Sequence, residues 1–467
     1  MRRGFVNNVI YSFTAQAIQL CLSVLITLFL PKLLSLEAFA YWQLFIFYTQ
    51  FSGFFHFGIV DGIYLREGGR DYACLDYGAL GFQLKTIVLL DVFIAVIVSI
   101  AAFSFCDDSN RLLVILASGI FMVIMNANSF LSLTYQSVNL IKQMSIGRML
   151  FSGLFLTFLI LSIVSFKSSQ YLVYIIVYIA CYSICLLYYL LKGKEIAVSL
   201  FGKANPNYKR VLFENFKSGA VLTMANITGM LILGIARYMI DIKWGLEMFS
   251  MISYAMVLVN FVLLFINELS FVLYPELRSM SVSSTDGLFV DIQKGLALIS
   301  PVFLILFFPM ALFIEFWLPD YAKTIEYMTI LLPLCVYEAK VSLLTNTYFK
   351  VLSRPKDLLL CNIKTLILGF VVLFVSIFVV KSIKMAVFSM LFISVARYLI
   401  SLYQLKPQGI IQDLKNFIPE ACIVGSFVIL NNTISFYFSL ISYLLICMIY
   451  LVLNRSSFGV ISRIIRK

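Results

Sequence analysis

The chain has 467 residues, 62% of them apolar and only 12% charged, with a formal net charge of +12 and a mean hydropathy of +0.98. This composition excludes a soluble fold, and the nine scattered cysteines exclude a disulfide-stapled secreted domain. Continuous apolar runs also exclude a β-barrel, whose strands would read as short alternating segments.

A helix needs roughly 20 mostly apolar residues to cross about 30 Å of hydrocarbon while satisfying its own backbone hydrogen bonds. Fourteen segments approach that length: 8–31, 39–62, 86–105, 112–134, 147–166, 170–191, 218–240, 247–273, 295–318, 325–349, 358–380, 385–405, 416–432 and 434–453. The expected fold is an all-α polytopic membrane protein of fourteen transmembrane helices. Met1-Arg2-Arg3 precedes a long apolar run with no small-residue cleavage site, so this run reads as the first span rather than a secretory signal. The thirteenth segment is the weakest, being short and opening with Pro419 and Glu420.

Placing the N-terminus inside puts most of the 35 Lys and Arg residues on the cytoplasmic side, which predicts cytoplasmic N- and C-termini and a bacterial inner membrane location. The net positive charge then reports topology. No arginine-rich arm with interleaved aromatics is present, and no nucleic-acid partner is expected.

A basic stretch at 192–217, with Lys194, Lys203, Lys209 and Arg210, separates six spans from eight. The chain is expected to divide into an N-terminal lobe at 1–191, this cytoplasmic linker, a C-terminal lobe at 218–405, two further helices at 406–454, and a basic tail at 455–467 that anchors on membrane lipids. The second spans of the two lobes end alike, in Tyr64-Leu65-Arg66-Glu67 and in Tyr274-Pro275-Glu276-Leu277-Arg278. Six is even, so two six-helix lobes would be parallel pseudo-repeats around a central cavity, with the last two spans an appendage.

Polar side chains inside spans are costly, so their placement is informative. Ser12, Gln16, Gln19, Ser23 and Thr27 follow steps of three and four along one helical face of span one. Such a stripe lines a cavity or bonds helix to helix. Span two aligns Gln43, Gln50 and Asp61, with His56 on another face as a packed residue. Spans seven and eight carry Asn226 with Arg237, and Asn260 with Asn267 and Glu268. Arg237 sits near a span end, from which it can also snorkel. Glu338 and Lys340 in span ten point to opposite faces, so each needs its own partner. Arg397 shares a face of span twelve with Ser394, Ser401 and Gln404, and Asp91 in span three is a candidate partner for one of the bases. A structural ion pair and a transport role are both open for each charge. Cys181 and Cys185, one turn apart, read as packing residues.

No metal-ligand cluster, Gly-rich phosphate loop or histidine-activated nucleophile is present, so the chain reads as a translocator rather than an enzyme, with no cofactor and no metal.

Three motifs carry a resemblance: Phe57-Gly58-Ile59-Val60-Asp61-Gly62-Ile63-Tyr64-Leu65-Arg66, Leu273-Tyr274-Pro275-Glu276-Leu277-Arg278, and Phe316-Trp317-Leu318-Pro319-Asp320-Tyr321-Ala322 followed by Ile330-Leu331-Leu332-Pro333. With the span order, they resemble the Wzx-type polysaccharide (O-antigen) flippases of the multidrug, oligosaccharidyl-lipid and polysaccharide (MOP) exporter superfamily. The resemblance implies a cavity lined by spans one, two, seven and eight. It also implies alternating-access export of a polyprenyl-diphosphate-linked oligosaccharide unit from the cytoplasmic to the periplasmic leaflet, alongside other polysaccharide-assembly membrane proteins. Arg237, Lys340 and Arg397 become candidate diphosphate ligands, Ser12, Gln16, Gln19, Ser23, Gln43, Gln50, Asn226, Asn260 and Asn267 candidate lining residues, and Asp61, Glu268, Glu338 and Asp91 candidate proton or ion couplers. Drug exporters of the superfamily carry an acid in span one, and lipid II flippases several arginines in spans one and two. This chain has no acid in span one and only Lys32 at its edge. A multidrug antiporter and a lipid II flippase stand as the alternatives.

Overall fold

A chain of apolar runs has only its own backbone to bond with, and the computed structural model is accordingly almost all helix, with no strand among the described residues. Those are residues 2–166, 169–202, 205–279, 282–352, 354–405 and 410–454; the side chains of 2–7, 9, 166, 264–286, 288, 300–301, 350 and 410–416 lie outside the description. The tail at 455–467 and the side chains of Asn267 and Glu268 therefore also lie outside it.

The first compact unit runs from Met1 to Ile227. It begins with α1 (Arg2–Leu28) and the single turn α2 (Leu30–Leu33), with Pro31 in the turn's opening positions. The following helices are α3 (Leu36–Ser52), α4 (Ile59–Glu67), α5 (Tyr77–Phe105), α6 (Ser109–Ser137), α7 (Ile141–Leu161), α8 (Tyr171–Lys192) and the short α9 (Lys194–Ser199). Three starts are capped by the residue type that suits an orphan N–H: Ser35 accepts from Ala38, Asp76 from Ala79, and Asp108 from Asn110 and Arg111. Inside the unit α1 packs along α7, and α3 against α6 and α8. Trp42 of α3 is wholly buried, stacked on Phe155 with centroids 6.1 Å apart and met edge-on by Tyr178 at 5.7 Å. Such aromatic pairs contribute about 0.5–1.5 kcal/mol each beyond their area.

The long α10 (Pro206–Ser279) contains the boundary between the units and is broken at Gly245, where φ is 82° and ψ −177°. The second unit, Thr228–Lys467, continues with α11 (Val282–Ile305), α12 (Phe307–Trp317), α13 (Ala322–Leu331), α14 (Leu334–Lys340), α15 (Thr347–Val351), α16 (Pro355–Phe374), α17 (Ile383–Leu405), α18 (Ile410–Thr433) and α19 (Phe436–Leu453). The last two helices are not an appendage. α18 packs on α11, α13 and α19, and the Tyr450 hydroxyl of α19 donates to the Ala297 carbonyl of α11 at 3.1 Å.

Ten described helices are long and apolar enough to cross a membrane, and a pair bent by 49°, Pro319–Leu331 with Leu334–Phe349, makes an eleventh. One of the ten, Pro206–Leu263, holds the seventh expected span and most of the eighth. The expected second and thirteenth spans fall short on length, because span two is interrupted and the thirteenth has an apolar core of only Phe417–Thr433.

The interruption of span two corrects the expectation of a continuous helix at 39–62. α3 ends at Ser52 and α4 starts at Ile59, with Phe57 (φ 49°) and Gly58 (φ 86°) both left-handed between them. Consecutive left-handed residues cannot belong to a right-handed helix, and such a conformation persists only where its surroundings hold it. Here the surroundings are the first turns of α10. A Cβ on Gly62 would fall 2.0 Å from the Asn215 carbonyl oxygen, and one on Gly219 would fall 2.0 Å from the Gly58 carbonyl oxygen. α4 and α10 thus touch backbone to backbone, the close approach that small residues allow in membranes. Asn215 adds a buried hydrogen bond from Nδ2 to Gln83 Oε1 at 2.8 Å, and Arg66 pairs with Glu214 at 3.2 Å. This packing explains why the first turns of α10 belong to the first unit.

Gly62→Val is expected to lower stability by at least about 1–3 kcal/mol, since the obstruction is backbone and cannot rotate away. Thermal melting of the purified protein in detergent checks this, with Gly425→Ala, which meets open space, as the control.

Candidate functional site

In the first unit, the polar stripe of α1 is partly covered, and the open positions of the helix beside Gln19 are Ile10, Phe13, Thr14, Ala17 and Cys21. Ala15, Leu22 and Thr27 are buried, whereas Gln19 is exposed and Ser12, Gln16 and Ser23 are half-buried. Among the described residues none of these four makes a side-chain hydrogen bond, which removes helix-to-helix bonding as their role within the unit. Gln50 is half-buried, and Asn226 and Asn260 on α10 are exposed. Gln43 departs from the lining set: it is buried where α3 packs on α6 and α8, so it does not open to solvent.

Asp61 lies in the first turn of α4, where the helix dipole favours a negative charge, and accepts a hydrogen bond from the Thr223 hydroxyl of α10. His56 is buried, its Nδ1 accepting from the Gly58 N–H at 3.1 Å, so it serves the left-handed turn as a packed residue. Asp91 was expected beside a base. It is instead wholly buried against Asn126 of α6, whose Nδ2 donates to its Oδ2 at 3.0 Å. The reason is local: α5 packs on α6, and α6 places an amide rather than a cation at that depth.

The second unit gathers charge. Glu338 and Lys340 diverge from α14 as their spacing requires. Glu338 accepts from Arg397 Nη1 at 3.1 Å and from the Ser394 hydroxyl at 2.9 Å, both on α17. Arg397 Nε also donates to Asn362 Oδ1 of α16 at 3.3 Å, and its second terminal nitrogen lies 2.9 Å from where a Cβ on Gly229 would stand. Lys340 pairs with Glu420 of α18, with side chains 2% and 1% exposed. Its ammonium also sits 5.1 Å from the centroid of the Tyr398 ring, whose hydroxyl accepts from Gln293 Nε2 at 2.9 Å. Arg237 and Asp241, one turn apart on α10, are both buried.

Lys340 and Arg397 are therefore not bare cations. Each is buried with a carboxylate of another helix, the structural ion pair that stood open for each beside a transport role. The residues that sequence reasoning left out are the partners: Asn126, Thr223, Asn362 and Glu420. Glu420 had weakened the thirteenth span, yet that same charge attaches its helix to the unit.

With this arrangement established, similarity to known structures can be read. The chain is similar to the inward closed conformation of the lipid II flippase MurJ, with a TM-score of 0.62 and 14% identity over 97% of this chain and 98% of that one. It is also similar to an inward-facing multidrug resistance MATE family transporter of the MOP superfamily, with a TM-score of 0.55 and 13% identity over 87% and 95%. A MATE structure in the bent conformation gives 0.52 and 12% over 90% and 97%. The chain shares the fold of these three structures. No protein-family model matches the sequence, and no curated protein matches it significantly. All three are transporters or flippases rather than enzymes, and at these identities the likeness speaks for the fold.

Breaking a buried pair strands a charge, whereas removing both partners does not. Lys340→Met is expected to destabilise the protein by about 3–5 kcal/mol, and the double variant Lys340→Met/Glu420→Met to recover most of that. A double-mutant cycle of unfolding in detergent measures the coupling.

Proposed function

We propose that this protein is a flippase for a polyprenyl-diphosphate-linked oligosaccharide, exporting a surface-polysaccharide unit such as O-antigen across a bacterial inner membrane by alternating access. The observation that carries the reading is the polar stripe of α1, open at Gln19 and half-covered at Ser12, Gln16 and Ser23. It offers hydroxyls and amides at Ser12, Gln16, Gln19 and Ser23 and no ionisable group, the lining that sugar hydroxyls need and a drug cation does not. Both termini would be cytoplasmic, as the distribution of Lys and Arg supports.

Arg397 is the strongest of the three diphosphate candidates. Its planar fork has one arm on Glu338 and its Nε on Asn362, and a phosphate that displaced Glu338 would find the same donors in place. Lys340 is the weakest, because its charge is met by Glu420 deep in the unit. Arg237 keeps its candidacy as a buried cation of α10. Asp61, Glu338 and Glu268 remain candidate couplers. A lipid diphosphate carries about two negative charges, and outward movement of each down an inside-negative potential releases roughly 2.3 kcal/mol per 100 mV.

Deletion of the gene tests the class. Loss of surface glycan, with lipid-linked units retained on the cytoplasmic face, supports the proposal. Hypersensitivity to cationic drugs with normal glycan would replace it with the antiporter, and rescue of a strain lacking its lipid II flippase would replace it with that activity. In the same strain, Gln16→Leu/Gln19→Leu and Arg397→Ala are each expected to cut export at least about tenfold, a loss of roughly 1.4 kcal/mol of stabilisation in the rate-limiting state. The Lys340→Met/Glu420→Met pair is expected to leave export near normal. Surface glycan scored at matched expression distinguishes them.

A further inference from the structure

Asp91 is a buried acid with no cation paired to it among the described residues. It lies in the middle of the 29-residue α5 and is fully buried. Its one polar partner among the described residues is Asn126, itself fully buried. The orientation of that amide follows from its second contact: Asn126 Nδ2 also donates, at 3.0 Å, to the carbonyl of Ser52, an obligate acceptor. Both amide hydrogens are thus committed, and Asn126 Oδ1 is buried without a donor. Asp91 Oδ1 is in the same position. Two neighbouring groups lack one donor between them.

Among the described residues no charge nearby supplies it. On α5 itself Lys85 is exposed, and Asp76 and Tyr77 mark the distant start. α6 carries only Arg111, at its first turn, and α3 only Glu37, at its own. His56 accepts from Gly58, and Asp61 from Thr223. The remaining charges of α4 and α9, and Arg210 and Glu214 of α10, are engaged or lie at the far end of α5: Arg66 and Arg210 with Glu214, Glu67 with Arg70, Glu195 with Tyr72, and Lys194 at the start of α9. An ionised Asp91 would be a desolvated charge with a single hydrogen bond, a state that costs several kcal/mol. A proton on the carboxyl removes the charge and adds the missing donor, for which Asn126 Oδ1 is the acceptor in want of one.

We propose that Asp91 and Asn126 form a proton-binding site, and that its proton controls how the second span is held at its break. Ser52 is the last residue of α3, and its carbonyl is anchored by the same amide that faces Asp91. Loss of the proton leaves a carboxylate that must draw in donors or water. The nearest stretch without a continuous helix ladder is 53–58, held by single turns such as Phe55 N–H on the Ser52 carbonyl at 3.3 Å and by the Gly58–Gly219 contact, so a change at the Ser52 carbonyl reaches it first. The site deepens the transporter reading by naming one coupling group, but its chemistry is testable without any substrate.

The test is infrared spectroscopy of the purified full-length protein in lipid nanodiscs across a pH series, with amide hydrogen exchange followed on peptides covering residues 50–60. A protonated-carboxyl band at neutral pH that bleaches as pH rises is expected. It should be absent in Asp91→Asn and shifted in Asn126→Ala, and exchange at 53–58, corrected for its intrinsic pH dependence, should rise at least tenfold as the band bleaches. Asp91→Asn is near-isosteric with the protonated acid and is expected to fold. If it does not, the wild-type titration decides alone. A wild-type spectrum with no such band, or a band unchanged in folded Asp91→Asn, overturns the site. A bleaching band with flat corrected exchange overturns the link to span two. None of these outcomes depends on what the protein exports, so failure here leaves the flippase reading to its own test.

Discussion

A charge inside hydrocarbon must find a partner, and much of the second unit's architecture follows from that. Lys340 and Glu420 are each 2% exposed or less, and the pair ties α14 to α18. Two residues earlier on α14, Glu338 reaches the other way to Arg397 on α17, which in turn holds Asn362 on α16. Four helices are thereby linked by two ion pairs and one amide. Lipid tails are as apolar as the helix faces, so no hydrophobic driving force brings helices together, and these links add specificity to their van der Waals packing. The gain in net stability is modest because desolvation opposes it, but the cost of breaking one link is large.

The first unit meets the same constraint by different means. Its interior acids have amide and hydroxyl partners rather than cations: Asp91 with Asn126, and Asp61 with Thr223. Its most intimate contact is made by backbone, where Gly58, Gly62 and Gly219 let α4 and α10 meet. A unit held this way keeps titratable groups that a neighbouring base has not already neutralised. That difference makes the first unit the place to look for proton chemistry and the second the place to look for fixed charge.

The helical fold was legible because apolar run length is a strong signal, whereas the starts that Ser35, Asp76 and Asp108 cap lie before the apolar runs expected at 39, 86 and 112. The opposite facing of Glu338 and Lys340 was legible too, since helical geometry sets it. The break in span two was not. Phe57-Gly58 looks like any apolar dipeptide, and its left-handed turn depends on α10, more than 150 residues away. The partners of buried charges were hidden for the same reason, because an asparagine in a span shows polarity without showing which helix it will meet. Gln43 carried the right spacing for an open face and is buried, because spacing identifies a face of a helix but not what covers it.

Under the proposed flippase reading, a path lined by α1 has no fixed acid in its first helix, with a consequence for energetics. Where the path holds a carboxylate, the cation it binds can be the coupling ion, and cargo competes with it. Where the lining is neutral, as proposed for α1, a charged cargo responds to the membrane potential there directly, and ion coupling can act from elsewhere through a change in shape. Asp91 has the placement such a coupler needs: buried away from the polar stripe of α1, yet one amide from the end of α3. A proton there would bias the conformation of the second span rather than compete for the cargo's site.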